Sequence, residues 1–410
     1  MKMQMRRFGV YFKQRARTMA HGFAQLLPRP KLDCDAASRR DGPIQRIIVF
    51  ARLPNPTIDY YLTARLTAPG MPPSQIVDIR DPTLPALEAE GAFVIVCRYA
   101  SRRMVTWIDR NANRLAGVGF FTDDNIGAVI TGSEAGIGYR LFLYQRGLAP
   151  LRRLNRHIDV VWVPTRALAE ALGGDAVQLL PPAPDRQTWE SLAATAHPCD
   201  RPDGPIRIVY HATGVHRREH SFLVPVIAEV LRARPNVVFE VTADERAARV
   251  WEGMERVTVL RPTSWVEYLD RTLKNRADIA VVPLLHSRAN HVRAGTKRID
   301  VVRMGAAGVY SQSEAYGDVD DSGEIRLPNR RKTWVQTLLR LVDDEELRGE
   351  VALASRRLVE AMSDLAEEGI PHILTPAEVA PPVMPVGVIE PRVAGIGVRT
   401  LAGGFAVDAG

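Results

Sequence analysis

From residue 46 onward, short runs of β-branched and aromatic residues alternate with stretches of helical spacing. The runs 46–52 (RIIVFAR), 75–79, 92–99 (AFVIVCRY), 117–122, 159–164 (DVVWVP) and 176–180 predict strands. Between them, 57–66, 101–111, 139–157 and 166–172 repeat apolar residues at helical intervals. Such alternation predicts βαβ units on a parallel sheet with helices on both faces. A polar, proline-bearing interval, 181–205, interrupts the pattern and reads as a linker. The alternation then restarts with strands at 206–212, 237–242, 257–260, 279–284 and 308–311, and helices at 221–234, 265–274 and 296–305. The restart predicts an α/β chain of two Rossmann-like doubly wound domains, 43–180 and 206–330, facing a cleft. C-terminal helices over 331–366 follow, with Trp334, Leu338, Leu341 and Val342 on one stripe, and then a Pro/Gly-rich tail, 367–410, of neither period.

Composition narrows this picture in three ways. At 410 residues, 46% hydrophobic and 25% charged, the chain is globular in class and long enough for two cores. No apolar stretch reaches the ~18 residues of a membrane span, and Arg or Lys interrupts every apolar run near the start. Three scattered cysteines, Cys34, Cys97 and Cys199, fit a reducing cytoplasm. The net charge of +7 belongs to a basic leader, 1–42, because residues 1–40 alone hold ten Lys or Arg against two Asp. That location argues against a nucleic-acid partner. The leader reads either as a solvated arm or as a peripheral contact to anionic lipid at the inner face of the membrane, through Phe8, Tyr11, Phe12, Phe23, Leu26 and Leu27.

Ligands of open α/β sheets bind beyond the strands' carboxyl ends, against helix N-termini. After 206–212 the chain reads TGVHRREH, placing Gly214, His216, Arg217 and Arg218 there. After 279–284 it reads LHSRANHVRAGTKRID, placing Arg293, Lys297 and Arg298 around a helix start. Cations oppose the positive end of a helix dipole by ~0.3–1 kcal/mol each, so two such clusters call for a bound anion, and a diphosphate fits. Gly214 and Gly295 would allow close approach. Arg217, Arg218 and Arg298 read equally well as solvated side chains. Asn290, Arg293, Lys297 and Asp300 are spaced by three, four and three residues, which a helix would bring to one face, with Asp300 placed to accept from ribose hydroxyls. The competing reading of Lys297 and Asp300 is a plain surface ion pair.

In these features the second half resembles the donor-binding half of GT-B glycosyltransferases of the group-one, bacterial polysaccharide kind. The resemblance rests on Asp278 to Leu284, Asn290, Arg293, Lys297, Asp300, Gly305 with Gly308, and Ser311 to Tyr316. It covers about 206–345 well and 117–180 more loosely. It implies a nucleoside diphosphate sugar donor, a glycan or lipid-linked hydroxyl acceptor and no further cofactor, the cations taking the role a metal fills elsewhere. Two departures stand out: the family's acid is usually Glu where this chain has Asp300, and TGVHRREH replaces a Gly-Arg…Lys-Gly pair. The resemblance also points to Asp123 and Asp124, which follow strand 117–122, as carboxylates facing the cleft. Physically such a pair can bind hydroxyls, with Asp124 as a base, or can simply cap an Asp-Asp-Asn turn.

One motif misleads. Thr131 to Gly138 (TGSEAGIG) matches a dehydrogenase nucleotide loop but lies deep in the first half, and no Tyr precedes a Lys by four residues. It reads better as a flexible cleft loop. His286 and His291 flank Asn290 as candidate donors. Besides transfer, two readings stay open: a non-catalytic sugar- or nucleotide-binding relative, and a nucleotide-sugar epimerase.

Overall fold

The computed structural model describes residues 26–32, 43–132, 135–174, 177–190, 204–212 and 216–373. The leader to residue 25, most of the linker and the tail from 374 lie outside the described residues, as do Gly214, Ser133 and Glu134.

Among the described residues, twelve strands form two all-parallel sheets. The first holds β1 (Arg46–Ala51), β2 (Ser74–Asp78), β3 (Ala92–Cys97), β4 (Gly117–Phe121), β5 (Val160–Val163) and β6 (Val177–Leu179) in the order β2-β1-β3-β4-β5-β6. The second holds β7 (Ile206–His211), β8 (Val237–Thr242), β9 (Val257–Leu260), β10 (Ile279–Val282), β11 (Ala307–Ser311) and β12 (Ile325–Leu327) in the order β12-β11-β10-β7-β8-β9. The second order is that of the dinucleotide-binding sheet, and both sheets have a switch point, β1 against β3 and β7 against β10, where a crevice opens. β3, β4 and β5 are buried along their whole length, as parallel strands covered on both faces require.

Cores sit within the sheets' own layers, around Phe50, Trp107 and Phe120 in the first, and around Phe239, Trp251 and Trp334 and around Val209, Ala280 and Tyr310 in the second. A further core spans both sheets. Ile47, Phe121 and Trp162 of the first pack with Ile299 and Val302, on the helix Lys297–Arg303 that follows β10, and with Val359 and Ile370. Residues 359–370 thus return to the first sheet. The helix Glu345–Asp364 runs back to it, Trp189 Nε1 donates to Ser363 Oγ at 2.9 Å, and Arg65 donates to the carbonyls of Leu365 and Gly369 at 2.8 Å each.

Local chemistry explains where the observed elements differ from the expected ones. The 331–366 region is two helices, because Asp344 leaves helical geometry and its side chain caps the second by accepting from Leu347 N at 2.9 Å. The helix expected from about 221 begins at Arg217, so Arg217 and Arg218 occupy its first turn instead of preceding it. The expected helix 139–157 divides into Ile137–Leu143, a wide turn Tyr144–Leu148 and Leu151–Leu154, with Pro150 starting the last piece. β12 was not foreseen.

Candidate functional site

The carboxyl ends of the two sheets face each other and touch. Thr165 Oγ1 donates to Val292 O at 2.8 Å, Tyr60 OH donates to Asp300 Oδ1, and Arg293 Nη2 stands 3.8 Å from Asp124 Oδ1.

On the first side, Asn125 and not the aspartates caps the following helix, accepting from Ala128 N at 2.9 Å. The carboxylates of Asp123 and Asp124 turn instead to Arg98, which follows β3. Its Nη1 lies 3.1 Å from Asp123 Oδ1 and its Nη2 lies 2.6 Å from Asp124 Oδ2, while Thr57 Oγ1 donates to Asp123 Oδ2 at 2.9 Å. Arg98 holds a backbone φ of 63°, a left-handed conformation that costs a non-glycine residue of order 1 kcal/mol. The two-carboxylate grip and the hydrogen bond that its backbone N–H donates to Phe121 O at 2.9 Å fix it there. Burial pushes the Asp123 carboxyl up, with Arg98 opposing and Asp124 adding. Burial opposes the charge on Asp124 as well, but Arg98 and Arg293 prevail and hold it below the ordinary carboxylate range.

On the second side, Arg293, Lys297, Asp300, His216, His211 and Tyr316 help line a cavity of about 90 Å³. It adjoins a larger one of about 350 Å³, where His211, Tyr268, Lys297 and Asp300 recur and Pro54, Pro56 and Tyr60 close the far wall. Arg271 also lines the larger cavity, with Nε and one Nη buried and unpartnered. His216 is buried, and burial together with Arg293 and Lys297 keeps its imidazole neutral far below the usual value. Neutral, it can accept from Arg293 Nη1 at 3.3 Å. His211 Nε2 pairs with Glu240 Oε1 at 3.0 Å, and burial nevertheless lowers its pKa.

Three predicted residues sit differently from their expected roles. Asn290 is not on one helical face with Arg293, Lys297 and Asp300, because the helix Arg288–His291 ends before Arg293 and a new one starts at Lys297. Its side chain is spent inward, donating to Glu219 Oε1 at 2.9 Å and Leu285 O at 2.7 Å, which pins the 285–290 loop. Arg298 is buried, neither solvated nor at the cavity, and its guanidinium grips Glu324 at 2.9 and 2.7 Å. Gly295 meets protein instead of a ligand, since a Cβ there would fall 2.7 Å from Ala315 O.

Asp300 faces both cavities, yet Oδ1 takes Tyr60 OH and Arg303 Nη2 (2.9 Å) and Oδ2 takes Lys297 Nζ at 2.8 Å. Burial works against its charge, but Lys297 and Arg303 hold it well below the ordinary range. The pair of Lys297 and Asp300 is therefore no plain surface contact. Gly132 and Gly136 end one helix and begin the next after β4, far from the place after β1 that a dehydrogenase loop needs.

Sequence reasoning missed Arg98 and Arg271. Arg98 has a signal in retrospect, a lone cation closing the apolar run of β3. Arg271 has none, because on the helix Trp265–Lys274 it looks like any exposed helical arginine.

No family model and no curated protein matches this chain. Among solved structures, the crystal structure of TarM is 12% identical, with a TM-score of 0.48 over 68% of this chain and 54% of that one. An alpha,alpha-trehalose-phosphate synthase (UDP-forming) from Burkholderia vietnamiensis is 10% identical, with a TM-score of 0.48 over 79% and 98%. A putative UDP-N-acetylglucosamine 2-epimerase from Listeria monocytogenes is 12% identical, with a TM-score of 0.41 over 80% and 98%. The chain spans little more than half the length of TarM. The fold stands on the strand order of its own two sheets.

Proposed function

We propose that this protein transfers a sugar from a nucleoside diphosphate sugar to a hydroxyl acceptor. The observation that carries the reading is the convergence of Arg293, Lys297 and Arg271 on two adjoining cavities, with a carboxylate pair on the opposite lip. Cations held in a partly desolvated cleft stabilise the negative charge that grows on a departing diphosphate. Lys297 and Arg293 take that role. Arg271 offers its unpartnered N–H groups to the nucleotide in the larger cavity. Asp124, kept ionised beside Arg293, accepts from a sugar or acceptor hydroxyl. Asp123, whose carboxyl is pushed up by burial, is the better proton acceptor of the two. A lipid-linked acceptor and a membrane contact by the leader belong to this reading on sequence grounds, and the leader's first 25 residues lie outside the described residues.

One observation favours a non-catalytic nucleotide-binding relative instead: Asp300 already accepts from three protein donors and offers little to a ribose. A thermal-shift screen with UDP, GDP, ADP and their sugars, followed by nucleotide release in the presence of acceptors, separates the readings. A transferase shows a raised melting temperature and acceptor-dependent release. A binding relative shows the first alone, an epimerase turns over without acceptor, and no shift with any nucleotide overturns all three.

A further inference from the structure

The first turn of the helix Arg217–Ala233 carries a carboxylate that the proposed chemistry does not touch. Glu219 is wholly buried, 0% exposed, and lines neither cavity. A carboxylate so placed needs donors for its oxygens. Its Oε1 has two, the Leu285 amide at 3.1 Å and Asn290 Nδ2 at 2.9 Å. Its Oε2 has none among the described residues and is closed off from solvent. His216 Nδ1, likewise buried and without a partner, stands 3.8 Å from that oxygen.

The neighbours of His216 place the hydrogen on its ring. Arg293 Nη1 lies 3.3 Å from His216 Nε2, and a guanidinium has only hydrogens to offer. Nε2 therefore presents its lone pair, and in a neutral ring the single hydrogen sits on Nδ1, the side of Glu219. Burial, with Arg293 and Lys297, keeps the ring neutral. Shortening the 3.8 Å gap by about 1 Å satisfies both orphaned atoms at once. The same carboxylate also reaches Arg293 through the backbone. Asn290, held by Oε1, accepts from Arg293 N at 3.3 Å through its carbonyl, and Arg218, next to Glu219, donates to His286 O at 3.2 Å.

We propose that Glu219 is a positioning residue of the phosphate site: by accepting from His216 Nδ1 it fixes the tautomer whose Nε2 holds the Arg293 guanidinium at the cavity and toward Asp124. The role rests on the transfer reading for its ligand and not for its hydrogen bonds. A glutamate there only to pin the 285–290 loop needs Oε1 alone and leaves the imidazole indifferent to it.

Glu219→Gln separates the two roles. The amide oxygen still receives Leu285 and Asn290, but an NH2 group takes the place of Oε2 and can only donate. The ring hydrogen then moves to Nε2, donor faces donor, and Arg293 is turned away. Two-bond proton–nitrogen spectra of the full chain with isotope-labelled histidine read the tautomer, with His216→Phe identifying the signal. The native chain shows the hydrogen on Nδ1 and Glu219→Gln shows it on Nε2. Affinity for whichever of UDP, GDP and ADP the native chain binds falls about tenfold in that variant, the lower end of what losing an orienting partner costs a bound ion. His216→Phe lowers affinity equally, and adding Glu219→Gln to it costs nothing more, because the glutamate acts through the imidazole. A native His216 with its hydrogen on Nε2, or with one on each nitrogen at neutral pH, overturns the proposal even if the variant fails to fold. So does an unchanged tautomer in Glu219→Gln, or full additivity of the two substitutions. The expected tautomers in a chain that no nucleotide stabilises keep the hold on Arg293 and overturn the transfer reading.

Discussion

The two lips of the cleft carry opposite charge and hold it by different means. On the first, a single guanidinium, Arg98, divides itself between Asp123 and Asp124 and leaves one negative charge in excess. On the second, a single carboxylate, Asp300, divides itself between Lys297 and Arg303, with Arg293 beyond its reach, and the excess is positive. Each lip is nearly neutralised from within, yet each keeps a residue of charge facing the cleft. The difference lies in the backbone. Arg98 is held in a strained conformation after a strand, whereas Lys297, Asp300 and Arg303 follow one another at ordinary helical spacing.

Removing the hub of the acidic lip should have the largest effect. Arg98→Ala leaves two half-buried carboxylates facing each other with Arg293, 3.8 Å from Asp124, as a distant counter-charge, at a cost of about 3 kcal/mol. Urea denaturation should show a much lower midpoint than the native chain, with Arg98→Lys between the two because it restores charge without the fork. A native midpoint in Arg98→Ala would mean the carboxylates draw their stability elsewhere.

Acid should separate the two sides next. Burial lowers His220 to about 4, where it accepts from Trp251 Nε1 at 3.0 Å in the second core, and His216 is lowered as well. The folded state binds these protons less readily than the unfolded state does. Stability is therefore complete above the ordinary histidine value of 6.5 and falls as pH drops from there toward 4. For His220 the loss is roughly 3 kcal/mol. Glu240, lowered to about 2 chiefly by His211 and Arg207 against its burial, acts below that window: its contribution holds above 4.5 and is lost toward 2. Melting temperatures of the native chain and His220→Gln between pH 7 and 4 check this. A native curve flat over that range, or a variant just as steep, would remove His220 as the cause.

The contrast between the lips also explains what could be read from sequence. Strands such as RIIVFA, AFVIVC and IAVV declare themselves because a parallel sheet buries both faces and needs unbroken apolar runs. The basic stretch on the second lip was legible because its charges lie close together in the chain. The acidic lip was legible only in part: Asp123 and Asp124 are adjacent, but Arg98 lies 25 and 26 residues away and meets them only when β3 and β4 pair. For the same reason the hold of Tyr60 on Asp300, across 240 residues, has no trace in local spacing. Asn290 misled because spacing reports which residues share a helical face, and the chain breaks its helix between Asn290 and Lys297; Arg298 misled because its partner, Glu324, lies 26 residues away.

On the basic lip, Lys297→Ala should weaken nucleotide diphosphate binding by about tenfold or more, the loss of a charge-assisted contact to phosphate. Stability should change little, because Asp300 keeps Arg303 and Tyr60. Titration calorimetry with UDP and GDP measures it, and unaltered affinity would remove Lys297 from the phosphate site.

Tyr60→Phe is the smallest change and the one that joins the two sides. The hydroxyl donates to Asp300 Oδ1 from a helix of the first side, and Arg303 Nη2 approaches it at 3.3 Å. Phenylalanine keeps the ring packed edge-on against Trp265 at 5.3 Å between centroids, so the loss is the hydroxyl's two hydrogen bonds, to Asp300 and from Arg303, about 1–2 kcal/mol of stability. It also returns to Asp300 an acceptor site directed at both cavities. If that carboxylate receives a ribose hydroxyl once the nucleotide enters, Tyr60 competes with the ligand, and its removal should tighten nucleotide binding a few-fold while Asp300→Asn weakens it. If Asp300 serves only to tie the lips together, Tyr60→Phe should bind nucleotide no better than the native chain while melting earlier. The ratio of the two affinities therefore decides whether the carboxylate between the lips belongs to the protein alone or is shared with its ligand.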